Sequence, residues 1–314
     1  MIRVKATGIC GTDINILRGN YKARPGIILG HETSGVVEEV GADVKNVNVG
    51  DNVILDPTYH CGICFYCRTG RPNYCSEKGH TETGVSANGT FAEYHVAKSS
   101  FLYSLPKELS FEVATLSEPL ASVLNALHQT RIVPDSRVLV TGAGPIGLLF
   151  GLAASSMGCE VTVGDVSAYR INQSRRLFNE VQDYNKAKMS ETNLGRKFDI
   201  AIDASGKLLE ELVEVIDKGG DILTAGLDYS VQANIRPSYL TDNGIRIIGS
   251  IDSNLTFAPA INMLSHNTQF RKIVTHSFPL RNYALAFNTL GLDVYHADKR
   301  GAILGGKVVI CPTE

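Results

Sequence analysis

Short apolar segments, each bounded by Gly, Asp or Pro, run through the N-terminal part of the chain. They predict strands at residues 36–40, 52–55 and 91–97. Short strands with frequent turns are typical of a barrel or a sandwich. We therefore expect the chain to begin with a β domain.

The pattern changes near Asp135, where strand-like apolar runs begin to alternate with helical ones. This alternation predicts a parallel sheet with helices on both faces. The expected strands are residues 137–140, 160–163, 198–202, 221–224 and 245–248, and a final strand at 306–310 closes a more mixed C-terminal pattern. The predicted fold class is α/β plus β.

Length and composition agree with two globular domains. The chain has 314 residues, of which 44% are hydrophobic and 20% are charged. A formal net charge of −2 and the lack of a basic run argue against a nucleic-acid partner. No apolar stretch could span a bilayer, and the N-terminus MIRVKATGIC lacks the order of a signal peptide. We expect a soluble, reduced, cytoplasmic protein.

Four of the seven cysteines form a compact pattern, C-x-x-C-x-x-C-x₇-C, at Cys61, Cys64, Cys67 and Cys75. Four thiolates in one loop satisfy tetrahedral Zn²⁺, and a closed shell leaves no open position for chemistry. The pattern therefore predicts a structural zinc ion. Disulfides would need an oxidising compartment; redox thiols or an iron–sulfur site stay open as alternatives.

A glycine motif follows the strand predicted at residues 137–140. The run Gly142-Ala143-Gly144-Pro145-Ile146-Gly147 leads into an apolar helix at 148–157. In this position G-x-G-x-x-G predicts a dinucleotide site, because glycines let the backbone approach a pyrophosphate at a helix N-terminus. The alternative is a tight turn that binds no ligand.

Asp165 ends the next predicted strand, about twenty residues further on, where a carboxylate would accept hydrogen bonds from an adenosine ribose. Asp165 therefore favours NAD over NADP. Arg170 keeps the preference open, since an arginine near that carboxylate could also bind a 2′-phosphate.

Three more metal-ligand types lie outside the cysteine cluster: Cys10, within GICGTD, and the pair His31-Glu32. Taken singly, they could be a buried thiol, a core imidazole and a surface carboxylate. A dinucleotide fold that carries hydride must, however, also bind and polarise its other substrate. Cysteine, histidine and carboxylate are ligands of an open catalytic zinc, so we interpret them as a second metal site.

The chain resembles the zinc-dependent medium-chain dehydrogenases, within them the polyol (sorbitol) and threonine dehydrogenase branch. The resemblance covers nearly the whole chain. It rests on these segments, in the family's order: the run around Cys10, Gly30-His31-Glu32 with Gly35, Val49-Gly50-Asp51-Asn52-Val53, the four-cysteine lobe, Phe91-Ala92-Glu93-Tyr94, Glu118-Pro119-Leu120, the glycine motif and residues 274–280.

The resemblance implies a discontinuous catalytic domain related to the GroES fold, formed by residues 1–120 and 266–314. A Rossmann NAD-binding domain would span 121–265, and a structural zinc lobe 58–78. Relatives carry about one more strand pair before residues 4–8, so the catalytic domain is expected to be N-terminally shortened, with an unpaired sheet edge.

The resemblance also assigns roles. Cys10 and His31 match direct ligands of the catalytic zinc, and Glu32 matches a carboxylate at or beside the metal. Glu118 matches the remaining ligand of the polyol-like branch, and a carboxylate there makes the zinc more exchangeable; an ordinary acid in a first helical turn is the alternative. Thr12 matches a hydroxyl that relays the substrate's proton, or is a plain turn threonine.

The implied function is transfer of hydride from a secondary alcohol, such as a polyol, sugar or amino alcohol, to NAD. The resemblance also implies two zinc ions per subunit and assembly into a homodimer or homotetramer. Threonine-type and glucose-type dehydrogenases are close alternatives, and a non-catalytic nucleotide-binding relative is a more distant one. We do not expect a zinc-ribbon interaction module, because the lobe is expected to lack basic or aromatic surface.

Two positions depart from the sorbitol-type pattern. Asn15 and Ile16 stand where that pattern has a histidine and a tyrosine, so the outer end of the proton relay is missing. Asp252-Ser253 replaces an arginine–tyrosine pair that lines the polyol pocket. A cation has become an anion there, which would favour an amino-polyol unless Asp252 faces solvent.

Overall fold

The computed structural model describes residues 1–186, 189, 197–296 and 301–312. The chain forms two compact units. Unit 1 comprises Met1–Ala121 and Asp252–Glu314, and unit 2 comprises Ser122–Ile251. The chain thus leaves the first unit once and returns to it.

The described strands and helices are numbered in chain order. The strands are β1 (Ile2–Gly8), β2 (Glu32–Val37), β3 (Asn52–Leu55), β4 (Tyr94–His95), β5 (Leu102–Ser104), β6 (Arg137–Thr141), β7 (Glu160–Asp165), β8 (Glu180–Asp183), β9 (Phe198–Asp203), β10 (Ile216–Thr224), β11 (Arg246–Gly249), β12 (Val274–Pro279) and β13 (Lys307–Cys311). The helices are α1 (Gly11–Leu17), α2 (Phe65–Arg68), α3 (Lys78–Thr81), α4 (Phe111–Ala114), α5 (Ser117–Leu127), α6 (Pro145–Ser156), α7 (Ala168–Ser174), α8 (Leu209–Val215), α9 (Pro237–Asn243), α10 (Phe257–His266) and α11 (Tyr283–Thr289). None of these described helices is long and apolar enough to cross a membrane.

Unit 1 is built on a seven-stranded sheet in the order β12-β13-β1-β2-β3-β5, with β4 paired to β1. Strand β1 lies inside this sheet, because it pairs with β2 along its length and with β13 at Thr7 and Gly8. The apolar side chains of Ile2, Val37 and Val53 pack together on one face. The first strand of the chain is therefore an interior strand of the sheet.

Two of the strands predicted in unit 1 differ from the observed ones, whereas the strand at 52–55 has the predicted bounds. The strand predicted at 36–40 is β2, which ends at Val37. The backbone N–H groups of Glu38 and Glu39 both donate to the carbonyl oxygen of Met1, at 2.9 and 3.3 Å, and so do not continue the strand pairing. The strand predicted at 91–97 shrinks to Tyr94–His95, because the Phe91 amide bonds Leu29 O at 2.9 Å instead of joining the sheet.

Unit 2 is a six-stranded, fully parallel sheet in the order β11-β10-β9-β6-β7-β8. The predicted α/β plus β fold class is thereby confirmed. Strand β8 was not predicted, because its sequence EVQD is polar and lies at the edge of the sheet. A strand at the edge of a parallel sheet is less buried than a central one and does not need a continuous apolar sequence, so hydrophobic periodicity does not identify it.

Helix α6 follows β6 and is the most buried helix of unit 2. Residues 147–154 are all buried, and Leu139 of β6 and Phe150 of α6 are among the largest fully buried side chains. Gly151 permits this packing, because a Cβ there would overlap the Phe178 ring. The helix begins at Pro145, three residues before its predicted start, since proline fits the first helical position.

Candidate functional site

A sulfur, an imidazole and a carboxylate converge in unit 1. Ligand atoms of Cys10, His31 and Glu32 all lie within 4.8 Å of one another. His31 and Glu32 are 9% and 1% exposed, and Cys10 is partly exposed. The sequence placed these residues in two separate motifs, and the fold brings them together.

The register of two strands causes this convergence. Strand β1 ends at Gly8, which pairs with Glu32 at the start of β2. Cys10 lies two residues after the end of β1, as the N-cap of α1, and His31 directly precedes β2. Antiparallel pairing therefore sets a strand end and a strand start side by side.

Asp13 fixes the two segments to each other. Its carboxylate is fully buried and accepts the backbone N–H of Cys10 at 2.8 Å and that of Gly30 at 3.1 Å. Burial raises the pKa of Asp13, although the charge of His31 opposes this shift. We did not assign Asp13 a role from the sequence, because nothing in the pattern distinguishes it from an acid in a first helical turn.

His31 lies in a strongly negative environment. Burial by itself would lower its pKa, but Cys10, Asp13 and Glu118 together raise it well above the ordinary value. The Nδ1 atom is buried, has no hydrogen-bond partner among the residues that the structure describes, and lies 4.0 Å from Asp13 Oδ1. A cation-seeking cluster with sulfur, nitrogen and oxygen donors fits zinc, which binds all three.

Glu118 lies in the first turn of α5, outside the trio that lies within 4.8 Å. Burial raises its pKa to about 7, and the negative charges of Glu32 and Asp56 act in the same direction, against His31 and Lys307. Its carboxyl group is therefore in electrostatic range of the trio and close to half-protonated at neutral pH.

Glu32 forms an ion pair with Lys307 of β13, and both side chains are almost fully buried. Burial alone would lower the pKa of Lys307, but the charge of Glu32, with those of Cys10 and Glu118, raises it. A second cation thus already neutralises the carboxylate beside the trio. The sequence did not reveal Lys307, because it begins an otherwise apolar strand.

Thr12 lies beside the cysteine sulfur. Its Oγ1 is 3.6 Å from Cys10 Sγ, and the residue is partly buried in the first turn of α1. A hydroxyl there is within reach of any group that binds next to the sulfur.

The four cysteines at 61, 64, 67 and 75 also cluster, with their sulfur atoms within 4.8 Å of one another. The Sγ atoms of Cys61 and Cys67 are 4.0 Å apart, and those of Cys64 and Cys75 are 3.9 Å apart. These distances are far too long for disulfides, and they fit tetrahedral zinc, whose Zn–S bonds of about 2.3 Å place sulfurs about 3.8 Å apart.

Backbone amides support thiolates in this lobe. The N–H groups of Cys61 and Glu77 point at Cys75 Sγ at 3.3 and 3.4 Å. Hydrogen bonds from the Cys67 and Ser76 backbones lower the pKa of Cys64 to about 6. Deprotonated sulfurs are what a metal requires.

The expectation that the lobe lacks aromatic and basic surface is wrong. Phe65 and Tyr66 are 67% and 39% exposed, and the Arg71 guanidinium lies over both rings at 5.4 and 5.5 Å from their centroids. Small zinc lobes cannot bury large rings, because they have too little core.

In unit 2 the glycine motif forms the expected strand–turn–helix. Gly142 has φ +93°, and its amide bonds Gly164 O at 2.8 Å. A Cβ on Gly147 would overlap the Gly142 carbonyl, so the close approach of turn and helix requires glycine. Gly144 caps α6, with Pro145 and Ile146 in its first turn.

Asp165 lies at the end of β7, beside this turn. It accepts the amides of Ala143 and Ser167, each at 2.7 Å. Arg170 Nη1 is 3.6 Å from Asp165 Oδ2. Asp165 therefore organises the glycine turn itself, a role that spacing alone did not predict.

We expect Gly8→Ala to destabilise the chain by about 1–3 kcal/mol. A Cβ at this position would overlap the Glu32 carboxylate and approach Lys307 Cε to 2.7 Å. Gly11→Ala is the matched control, since a Cβ there meets nothing within 4 Å. Urea unfolding of both variants measures the difference, and equal midpoints would contradict a tightly packed Glu32–Lys307 pair.

The chain matches two protein-family models. One, the alcohol dehydrogenase GroES-like domain, covers residues 1–107, and the other, zinc-binding dehydrogenase, covers residues 145–266. The chain is 34% identical over 296 residues to D-altritol 5-dehydrogenase of Agrobacterium fabrum, with 89% of this chain and 85% of that protein covered. It is 30% identical to sorbitol dehydrogenase of Halalkalibacterium halodurans, with 100% and 91% covered.

A solved structure is similar over the same length. A zinc-binding dehydrogenase from Sinorhizobium meliloti 1021, bound to NADP, superposes with a TM-score of 0.89 at 25% identity, covering 99% of this chain and 91% of that one. Both domain types and the nucleotide-binding fold agree with the resemblance seen in the sequence. The chain belongs to the zinc-dependent medium-chain dehydrogenases, in their polyol and threonine dehydrogenase branch.

Proposed function

We propose that this chain oxidises a secondary alcohol group of a polyol, with NAD as the hydride acceptor and zinc held by Cys10 and His31. The observation that carries the proposal is the trio of Cys10 sulfur, His31 imidazole and Glu32 carboxylate, whose ligand atoms lie within 4.8 Å of one another. A trio of this kind leaves room for substrate at the metal, unlike the four-cysteine lobe. Relatives named for altritol and sorbitol support a polyol substrate.

Bound zinc supplies a Lewis acid that lowers the pKa of the substrate hydroxyl. Around it, each residue has a separate task. Asp13 keeps the Cys10 and His31 segments in place through its two backbone hydrogen bonds. Thr12 relays the hydroxyl proton, and Lys307 balances the charge of Glu32 at or beside the metal.

Glu118 is proposed as the remaining ligand. With a pKa of about 7 in the absence of a cation, its carboxyl group gives up its proton once a divalent ion binds nearby. A carboxylate ligand of this kind is easier to displace than a thiolate.

NAD preference is proposed from Asp165. Its carboxylate is 6% exposed and pairs with Arg170 at 3.6 Å. A 2′-phosphate would bring a second negative charge against this carboxylate, and Arg170 is already engaged by it. NAD lacks that phosphate and avoids the repulsion.

The domain boundaries and the homodimer or homotetramer named above stay predictions.

We expect Cys10→Ala to lower kcat/KM for polyol oxidation by at least about a thousandfold, because a metal's contribution to the transition state is several kcal/mol. Cys159→Ala, a partly exposed cysteine of unit 2, is the matched control and should retain activity. NADH formation at 340 nm on a panel of polyols, sugars, amino alcohols and threonine measures both. Full activity of Cys10→Ala, or of metal-stripped wild type, would refute the proposal.

Metal analysis tests the two zinc sites separately. Wild-type protein should hold two zinc ions per chain after dialysis, and Cys67→Ser should hold one. The variant should also melt at a lower temperature, because the lobe loses its metal-bound core. Two ions in Cys67→Ser would show that the lobe does not bind zinc.

Wild-type enzyme should use NAD with a kcat/KM at least about tenfold above that for NADP. Asp165→Asn should narrow this ratio, because it removes the charge that repels a 2′-phosphate. It keeps an acceptor oxygen for only one of the two backbone amides that Asp165 binds, so the melting temperature of the variant is measured as well. The same NADH and NADPH assays measure the ratio. A preference for NADP in wild type would overturn the interpretation of Asp165.

A further inference from the structure

Residues 252–256 connect the four-cysteine lobe to helix α5 within unit 1. Asp252 forms an ion pair with Lys78 of α3, and Asn254 Nδ2 donates to Gly70 O at 3.0 Å. Thr256 Oγ1 donates to Ala121 O at 2.6 Å, one turn after Glu118 in the same helix. The segment is therefore held at both ends, next to the proposed metal ligand.

The backbone of this segment is strained. Asp252 has φ +53° and Leu255 has φ +58°, values in the left-handed region that non-glycine residues rarely adopt. Such strain persists only where the surroundings enforce it, and it is common at ligand sites.

The Lys78–Asp252 pair is mostly removed from water, with side chains 17% and 21% exposed. Burial lowers the pKa of Lys78, while the charges of Glu82 and Glu118 oppose that shift. Glu118 in turn acts on His31. The pair therefore lies in electrostatic range of the site where the alcohol would react, and it is still accessible to a small molecule.

The charge and the hydrogen-bonding capacity of the Lys78–Asp252 pair indicate which kind of substrate group it can bind. An ammonium group has three N–H donors, and in the described part of the chain Asp252 is the one hydrogen-bond partner of the Lys78 Nζ atom. The ammonium is outnumbered by the carboxylates of Asp252 and Glu82, so a phosphate or carboxylate would meet net repulsion. A cationic amine would have to displace Lys78 from Asp252. A neutral hydroxyl meets neither obstacle.

We propose that Lys78 and Asp252 form a specificity-determining pair, which binds a substrate hydroxyl away from the carbon that is oxidised. The pair selects neutral polyols over polyols that carry a phosphate, carboxylate or amine. This inference rests on the proposed alcohol oxidation. It also replaces the interpretation of Asp252 as a lone anion, since Lys78 supplies a cation from another part of the chain.

The first test compares a pentitol with butane-2,3-diol, which has the reacting group but no distant hydroxyl. Lys78→Met should lower kcat/KM for the pentitol about 10- to 100-fold more than for the diol, as loss of one charged hydrogen bond predicts. Lys78→Arg should restore part of the ratio, because it keeps a cationic donor. Arg3→Met, which removes the half-exposed Arg3–Glu38 pair of unit 1, is the matched control and should leave the ratio unchanged.

The second test uses charge. Asp252→Asn leaves the Lys78 ammonium without its carboxylate, so kcat/KM for a pentitol monophosphate should rise at least about tenfold relative to the free pentitol. Wild type should prefer the free pentitol to both its phosphate and its amino-deoxy form. The inference is overturned if either charged form is preferred, or if the ratio does not change in Asp252→Asn.

These outcomes separate the inference from the function it rests on. If wild type oxidises no alcohol in the panel, the proposed function fails. If wild type oxidises both pentitol and diol, and Lys78→Met loses activity equally on both, the pair only supports the fold and the inference alone fails. Melting temperatures of all variants identify those that unfold.

Discussion

The buried carboxylate of Asp13 is the interaction on which the site of unit 1 depends. Its two oxygens accept amides from Cys10 and Gly30, which belong to segments far apart in the chain. A buried carboxylate without such partners would be costly, so the fold keeps the two segments together whenever Asp13 is ionised. The ligand atoms of Cys10 and His31 inherit their separation from this arrangement. Metal binding therefore begins with a site that the protein has already assembled.

The charged side chains around Cys10, His31 and Glu32 partly balance one another. Cys10, Glu32, Asp13 and Glu118 place several potential negative charges in one buried region, and Lys307 and His31 are the cations that oppose them. Without a metal, burial raises the pKa of Glu118 to about 7, and the negative charges of Glu32 and Asp56 act in the same direction. A divalent ion would neutralise part of the negative charge of these acidic side chains, and part of its binding free energy would come from that neutralisation. The charge of Glu118 also acts on Lys78, so the proposed specificity pair and the proposed metal site would share one electrostatic environment.

Much of the architecture follows from local pattern. The four cysteines, the glycine run and the change from short strands to alternating strands and helices each predict a structure that the fold contains. The predicted strands were wrong where contacts between residues far apart in the chain override the local preference for a strand. The segment at 91–97 has strand-like residues, yet its first amide bonds Leu29 and only Tyr94–His95 pairs. Strand β8 forms at a sheet edge with little apolar sequence, because its neighbour β7 supplies the hydrogen bonds.

The sequence by itself determined the family, the two groups of candidate metal ligands and the glycine turn, because these depend on residue types within short motifs. Only the tertiary structure decided how the acids and cations pair. Lys307 lies 275 positions from Glu32, and Asp252 lies 174 positions from Lys78. No local pattern encodes such pairs, because they arise when strand register and loop anchoring bring distant side chains into the same low-dielectric region. The chemistry of the ligands is thus readable in the chain, whereas the charges that tune them are visible only in the fold.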